Sequence, residues 1–590
     1  DAGRVTKTIQ NYQDGAVDGD YPDEDVTVET TYSADGQILT LTAQNPSTGD
    51  QTTQYVYGTT LSDSDVARSD LLRAEIYPDS DDVADPLGDG TDGVYDRVEY
   101  TYNRQGQRTE RQDQNGTVHA YQFDALGRVL HDRVTTLGTN IDGAVRRTST
   151  TYEVRGMVES ITQYDNATVG SGSVVNEVLY EYNDLGMLTQ EYQEHEGAKD
   201  ASTLYVQYNF DDTAGGGEFT KGLRPTSLRY PNGRRLHFTY GSSDSMADVL
   251  NRLEAIADDS GGSPGDVLAS YTYLGAGTIV SEDYEQPDVR LETFFDSAYS
   301  GWDRFGRVVD QRWYDYGAGA DRERFTYGYD RAGNRTYREN TLVSGKDECY
   351  TYDGVHRLLT FDRGDLNVGK TAISGTPVQE EDWDLDMTGN WSDFLRKTSG
   401  STDLNQERTH NAVNEIVGIS ETVGTAWADP AHDRAGNLTT LPKPSSLGTG
   451  LTCTWDAWNH LVEVKQGATV VARYEYDGLF RRVKKHLDSQ SPASPDGIDA
   501  YEHSFYNHAW QELETRRSTS ENTGPESLQP QYQYVWSPRY IDAPVLRDEN
   551  TDADGLCDDG RIYYLGDANF NVTTLVDTAG DALERDVYSP

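Results

Sequence analysis

The chain has 590 residues, with 100 acidic against 50 basic side chains and a formal net charge of −50. That balance excludes a nucleic-acid or anionic-membrane partner, since both need a basic footprint, and no apolar run is long enough to insert in a membrane. Hydrophobic residues at 35% and a mean hydropathy of −0.75 approach a disordered composition, but 11% aromatics and 40 tyrosines argue for a folded chain with much surface and a thin apolar layer.

The chain opens on "DAGRV", residues 1–5, an Asp, Gly and Arg without a preceding aromatic strand, as if inside a longer unit. An acidic loop, "DGAVDGDYPDED" (14–25), leads to the unit "TYSADGQILTL" (31–41). Residues 62–76, "SDSDVARSDLLRAEI", give the best helix candidate: Ser62 or Ser64 as cap, and Val66, Leu71 and Leu72 as stripe. A second acidic loop follows at 79–93. Then come "YTYNRQGQRTE" with Gly106, "YQFDALGRVLHDRV" with Asp124 and Gly127, "TYEVRGMVESI", and "YEYNDLGMLTQEY" with Gly186. Further on lie "GWDRFGRVVDQRWYD" with Asp303 and Gly306, and "FTYGYDRAGNRTYREN" with Asp330 and Gly333. Looser copies continue through "YTYDGVHRLLTFD", "AHDRAGNLTTL", "CTWDAWNHLVEV" and "YEYDGLFRRVKKH".

Residues 325–340 show why the pattern recurs. Phe325, Tyr327 and Tyr329 alternate, which places them on one face of a strand. Asp330 can accept from forward backbone N–H groups, and Gly333 supplies a positive φ, so the stretch is one β-hairpin. Spacing between clear copies is roughly 20–30 residues, the range of repeat arrays.

The aromatic-Asp-x-x-Gly-Arg units, as in "FDALGRV" and "WDRFGRV", resemble those of the YD-repeat, or Rhs and teneurin, proteins. The likeness covers nearly the whole chain and is weakest around 40–95, 242–265 and 485–530. It implies an all-β fold in which hairpins join into one long spiralling sheet, a hollow shell or tube, with few short helices. Residues 1–530 are then the YD-repeat shell, and 531–590 look like the start of an Rhs core continuing the same sheet. The downstream core motif and any toxin of toxin-bearing members are not found, so the chain reads as a piece or window of a longer precursor.

Several motifs match sites of chemistry, and their context decides each. "GDLNVGKT" (364–371) fits a phosphate loop, yet Gly375, Pro377 and three acids follow where a helix is needed; a hairpin loop is the reading, and its Arg363-Gly364-Asp365 tripeptide carries little. "GDGTDG" (88–93) precedes a strand, and "GGSPG" (261–265) around Ser263 sits in a loop without the strand–turn–helix of a nucleophile elbow. Cys349, Cys453 and Cys557 lie far apart and read as buried small hydrophobes. No catalytic or cofactor-binding residue is assigned. The loop "DENTDADGLCDD" (548–559) places Asn550, Asp552, Asp554 and Asp558 in a partial calcium-loop pattern, with Arg561 where a bidentate Glu is expected. Calcium and a plain solvated turn both remain open there.

The expected role is non-enzymatic: a secreted or cell-surface shell or scaffold that encloses polypeptide cargo or joins head to tail with itself into a filament. The alternative is a teneurin-like adhesion or recognition module binding a receptor or glycan, with Trp391 and Trp510 as the aromatics to inspect.

Overall fold

Strand after strand pairs antiparallel with its successor in sequence, except that Leu72–Ile76 pairs with Val98–Tyr102 past a small separate hairpin, so the chain folds as a meander. The computed structural model describes residues 3–210, 223–294, 300–489, 497–521 and 523–588; Asp1, Ala2 and the final two residues lie outside that range. Among the described residues the strands form a 29-stranded sheet, a 13-stranded sheet and a small 2-stranded one. The all-β expectation holds. The ladder of the long ribbon is interrupted once, between the strands Ile416–Val423 and Ala431–His432. There the connection carries Ala428 N–H to the Leu447 carbonyl at 2.8 Å.

The 325–340 hairpin forms as the alternation dictates. In the strand Ala320–Tyr329, Phe325 and Tyr327 are buried on one face, and the chain returns in Arg335–Asn340. Gly328 interrupts the bulky pattern because a Cβ there would collide with the ring of Tyr337 opposite. Most hairpins also carry a register shift just before the turn, as at Gly328/Tyr329, Thr151/Tyr152 and Glu475/Tyr476. Such bulges add twist, which lets a long sheet curl.

The helix expected at 62–76 is not formed. Ser64 Oγ instead accepts from Tyr102 N–H at 3.1 Å, and Leu72–Ile76 is a strand. Val66, Leu71 and Leu72 do pack together, against Val98, Tyr100 and Tyr102, so burial against a neighbouring hairpin overrode the local helical pattern. The described α-helix is the single turn Met246–Val249, capped by Ser245.

The main core lies where the ribbon coils back on itself. Val206, Tyr230, Leu236, Tyr284 and Trp313 of the first sheet pack with Leu513, Val535, Leu546, Tyr563 and Val576 of the second. Hydrogen bonds across this contact join residues 341, 338, 304, 253 and 225 positions apart, in that order along the chain, from Asn45–Asp386 to Arg363–Tyr588. The number of residues between contacting positions therefore falls along the chain, so the coil tightens toward its C-terminal end. The molecule exposes 27928 Å², against the roughly 21,000 Å² of a compact monomer of the same mass. A wall wetted on both faces accounts for that excess.

Candidate functional site in the repeat turns and the seam

Most repeat turns are built around one acid or amide. Asp124 Oδ1 accepts the backbone N–H groups of Leu126 and Arg128 at 2.8 and 2.9 Å, and Oδ2 accepts Arg128 Nε at 2.7 Å. Gly127 closes the turn with φ +86° and donates to the Asp124 carbonyl at 3.0 Å. The backbone N–H of Arg128 is the largest influence holding the Asp124 carboxyl below its usual value of 3.8, ahead of the opposing effect of burial. Asp303 with Gly306, and Asp330 with Gly333, repeat the arrangement; Gly106 and Gly186 close turns whose lead residues are Asn103 and Asn183. In later copies the positive φ falls on His356, Asn414, Asn459, Phe480, Trp510 and Phe570.

A second device links one unit to the next and is less evident from sequence. Arg128 stacks over the ring of Tyr152, 4.0 Å from its centroid, and the Tyr152 hydroxyl donates to the Val129 carbonyl at 3.0 Å. The donor is the residue immediately before a turn, and the acceptor lies five positions after the previous turn's lead residue. Tyr182–Val158, Tyr329–Val308, Tyr352–Arg335, Tyr476–Leu461 and Tyr506–Arg482 match it, and Trp455–Leu438 and Trp536–Glu512 use an indole N–H instead. These bonds satisfy carbonyls beyond the end of the strand ladder, groups that otherwise lack a partner. The readable signal was the use of Tyr or Trp rather than Phe just before the turn.

The seam between the winds is polar and buried. Turns of the second wind dock on strands of the first: Arg481 Nη1 reaches Glu191 at 2.6 Å while Nε holds Asp477 at 2.8 Å, all three buried. Burial pushes the Glu191 carboxyl up, against the pull of Arg481. Gln193 exchanges two bonds with the backbone of Tyr506, and Arg338 binds Asp567 at 2.9 Å and Glu348 at 2.7 Å. His119 Nε2 donates to the Ala457 carbonyl at 2.8 Å, and its Nδ1 lies 2.7 Å from Asp132 Oδ1. Burial opposes its charge, but the Asp132 carboxylate lifts it above 6.5. A cavity of about 330 Å³ lies in the same seam, lined by Asp142, Gln163, Asn176, Asp456 and Tyr476 among others.

The four calcium candidates share one loop, and three of them accept hydrogen bonds from its own backbone. Asn550 accepts from Ala553 N–H, Asp552 from Asp554 N–H and Asp554 from Leu556 N–H, at 2.8, 3.0 and 2.8 Å. The acid that gathers the loop is Asp559, which accepts from Thr551 and Asp552. Among the described residues no group of three His, Cys, Asp or Glu side chains is arranged to hold a metal ion. Gly364 ends the strand Leu358–Gly364 and residues 365–371 follow it outside any strand, Gly88 ends a two-residue strand, and Ser263 begins the strand Ser263–Leu274 rather than lying in a loop. Cys349, Cys453 and Cys557 are buried and free, and burial raises the Cys453 and Cys557 thiols to about 11 and about 12. Trp510 occupies a turn and Trp391 packs beside Trp383 and Phe394. Among the described residues no helix is long and apolar enough to cross a membrane.

No protein-family model and no curated protein matches the sequence. Solved structures do match the fold. A mutant form of the Photorhabdus luminescens Tc holotoxin pore is similar over 96% of this chain and 27% of that chain, with 14% identity and a TM-score of 0.61. The TcdB2–TccC3 complex gives 14% identity, 96% and 28% coverage and a TM-score of 0.60. Its form without the hypervariable C-terminal region gives 15%, 96%, 28% and 0.61. The chain thus spans about a quarter of the length of the structures it resembles.

Proposed function

We propose that the chain is the wall of a YD-repeat shell, a structural rather than catalytic element that surrounds polypeptide cargo. The observation that carries this reading is the surface of 27928 Å² on a coil in which the separation of contacting residues falls from 341 to 225 along the chain. A solid domain does not need that much surface, whereas a tapering enclosure does. The likeness to the TcdB2–TccC3 fold supports the same reading. A secreted or cell-surface location is part of the proposal, and so is calcium at the 548–559 loop, which calorimetric titration of the chain with calcium tests. Cryo-electron microscopy of the native particle tests the shell itself: a low-density interior bounded by a single-sheet wall is expected, and a solid particle overturns it.

A further inference from the structure

One contact in the seam is built unlike the rest. His195, just past the strand Leu188–Glu194 of the first wind, meets His503 of the second with their Nδ1 atoms 3.1 Å apart. Both rings are buried, His195 lies stacked 4.5 Å from Phe505, and its Nε2 is buried with no hydrogen-bond partner. A bond between two Nδ1 atoms requires one to donate and the other to accept, so the rings hold together when neutral. Two imidazolium rings would point N–H at N–H.

Among the described residues no carboxylate pairs with either ring. On the flanking strands His503 stands directly between Lys484 and Arg516 in register. Lys484 already binds Glu196 and Glu475, Arg516 binds Glu514, and Arg481 binds Glu191 and Asp477. His486 lies beside Glu475 at 3.7 Å, and Glu194 holds Thr203. These acids each hold another partner, and Lys484, Arg481 and Arg516 add to the repulsion.

We propose that the His195–His503 contact is a proton-operated latch between the two winds, closed near neutral pH and opened by acidification. Burial, then the neighbouring histidine and cations, depress His195 well below 6.5, and burial with Lys484 brings His503 to about 3. The unfolded or opened rings thus bind protons that the closed seam refuses, so closure weakens as pH falls below about 6.5. His119, in the same seam, is built the opposite way, with a carboxylate against its ring. It serves as an internal control.

Hydrogen exchange of the whole chain, read at the amides of Tyr506 and His508 and corrected for intrinsic rates, tests the latch whether or not cargo is enclosed. The opening constant should rise about fivefold per histidine between about pH 6.5 and about pH 5.5. His503→Asn and, separately, His195→Asn should flatten that rise, while His119→Gln should leave it in place. An opening constant unchanged over this range in the unaltered chain overturns the proposal, as does a rise that survives both asparagine variants. Should one variant fail to fold, the other and the unaltered chain still decide.

Discussion

The Tyr152 hydroxyl donates to the Val129 carbonyl at 3.0 Å while Arg128 covers the same ring. One tyrosine therefore ties its own hairpin to the end of the one before it. Repeated along the ribbon, this contact makes each unit depend on its neighbour, as expected of a linear array. Tyr152→Phe keeps the ring and the cation above it but removes the donor. The expected loss is about 0.5–1.5 kcal/mol, measured by chemical denaturation, and Arg128→Ala should add to it less than independently because both act on one ring.

Gly306 isolates the backbone requirement of the turn. Its φ is +78° and nothing lies within 4 Å of the place a Cβ would occupy. Gly306→Ala should therefore destabilise through conformation alone, by about 1–2 kcal/mol. A denaturation midpoint equal to that of the unaltered chain would refute the role given to glycine at this position.

The seam is tested at Arg481. Removing it leaves Glu191 and Asp477 buried without their cation, which should cost about 3–5 kcal/mol. Glu191→Gln leaves the Arg481–Asp477 pair intact and should cost less. The order of the two melting temperatures checks the assignment.

His119 predicts a pH dependence of opposite sign to the latch. Its folded value is raised, so its contribution is fully present below about pH 6.5 and is lost as pH rises through the folded value. His119→Gln should then destabilise more at about pH 6 than at about pH 9. Equal losses at both would show that the ring is neutral in the seam.

What the sequence revealed follows the range of the interactions. Alternating aromatics, the Asp or Asn and the glycine act within a dozen residues, so Asp124, Gly127, Asp303, Gly306, Asp330 and Gly333 stand out as a repeat. The seam does not. Glu191 and Arg481 are 290 residues apart, and Gln193 and Tyr506 are 313 apart, so Glu191, Gln193 and Tyr506 look like ordinary strand members and Arg481 like an ordinary turn residue. Residues 62–76 misled for a related reason: their apolar spacing suits a helix, but the partners that decide their structure are Val98, Tyr100 and Tyr102 on another hairpin. In the acidic loop at 548–559, Asn550, Asp552 and Asp554 each accept from a backbone N–H two or three residues on, a local role that their spacing does not distinguish from a ligand's.

The central claim is a thin coiled wall around a space, and small-angle scattering from the monomeric chain tests it most directly. A compact protein of 590 residues has a radius of gyration of roughly 25 Å. The account predicts a clearly larger value with a pair-distance distribution weighted toward long separations. A value near that of the compact sphere, with a symmetric distribution, would contradict it.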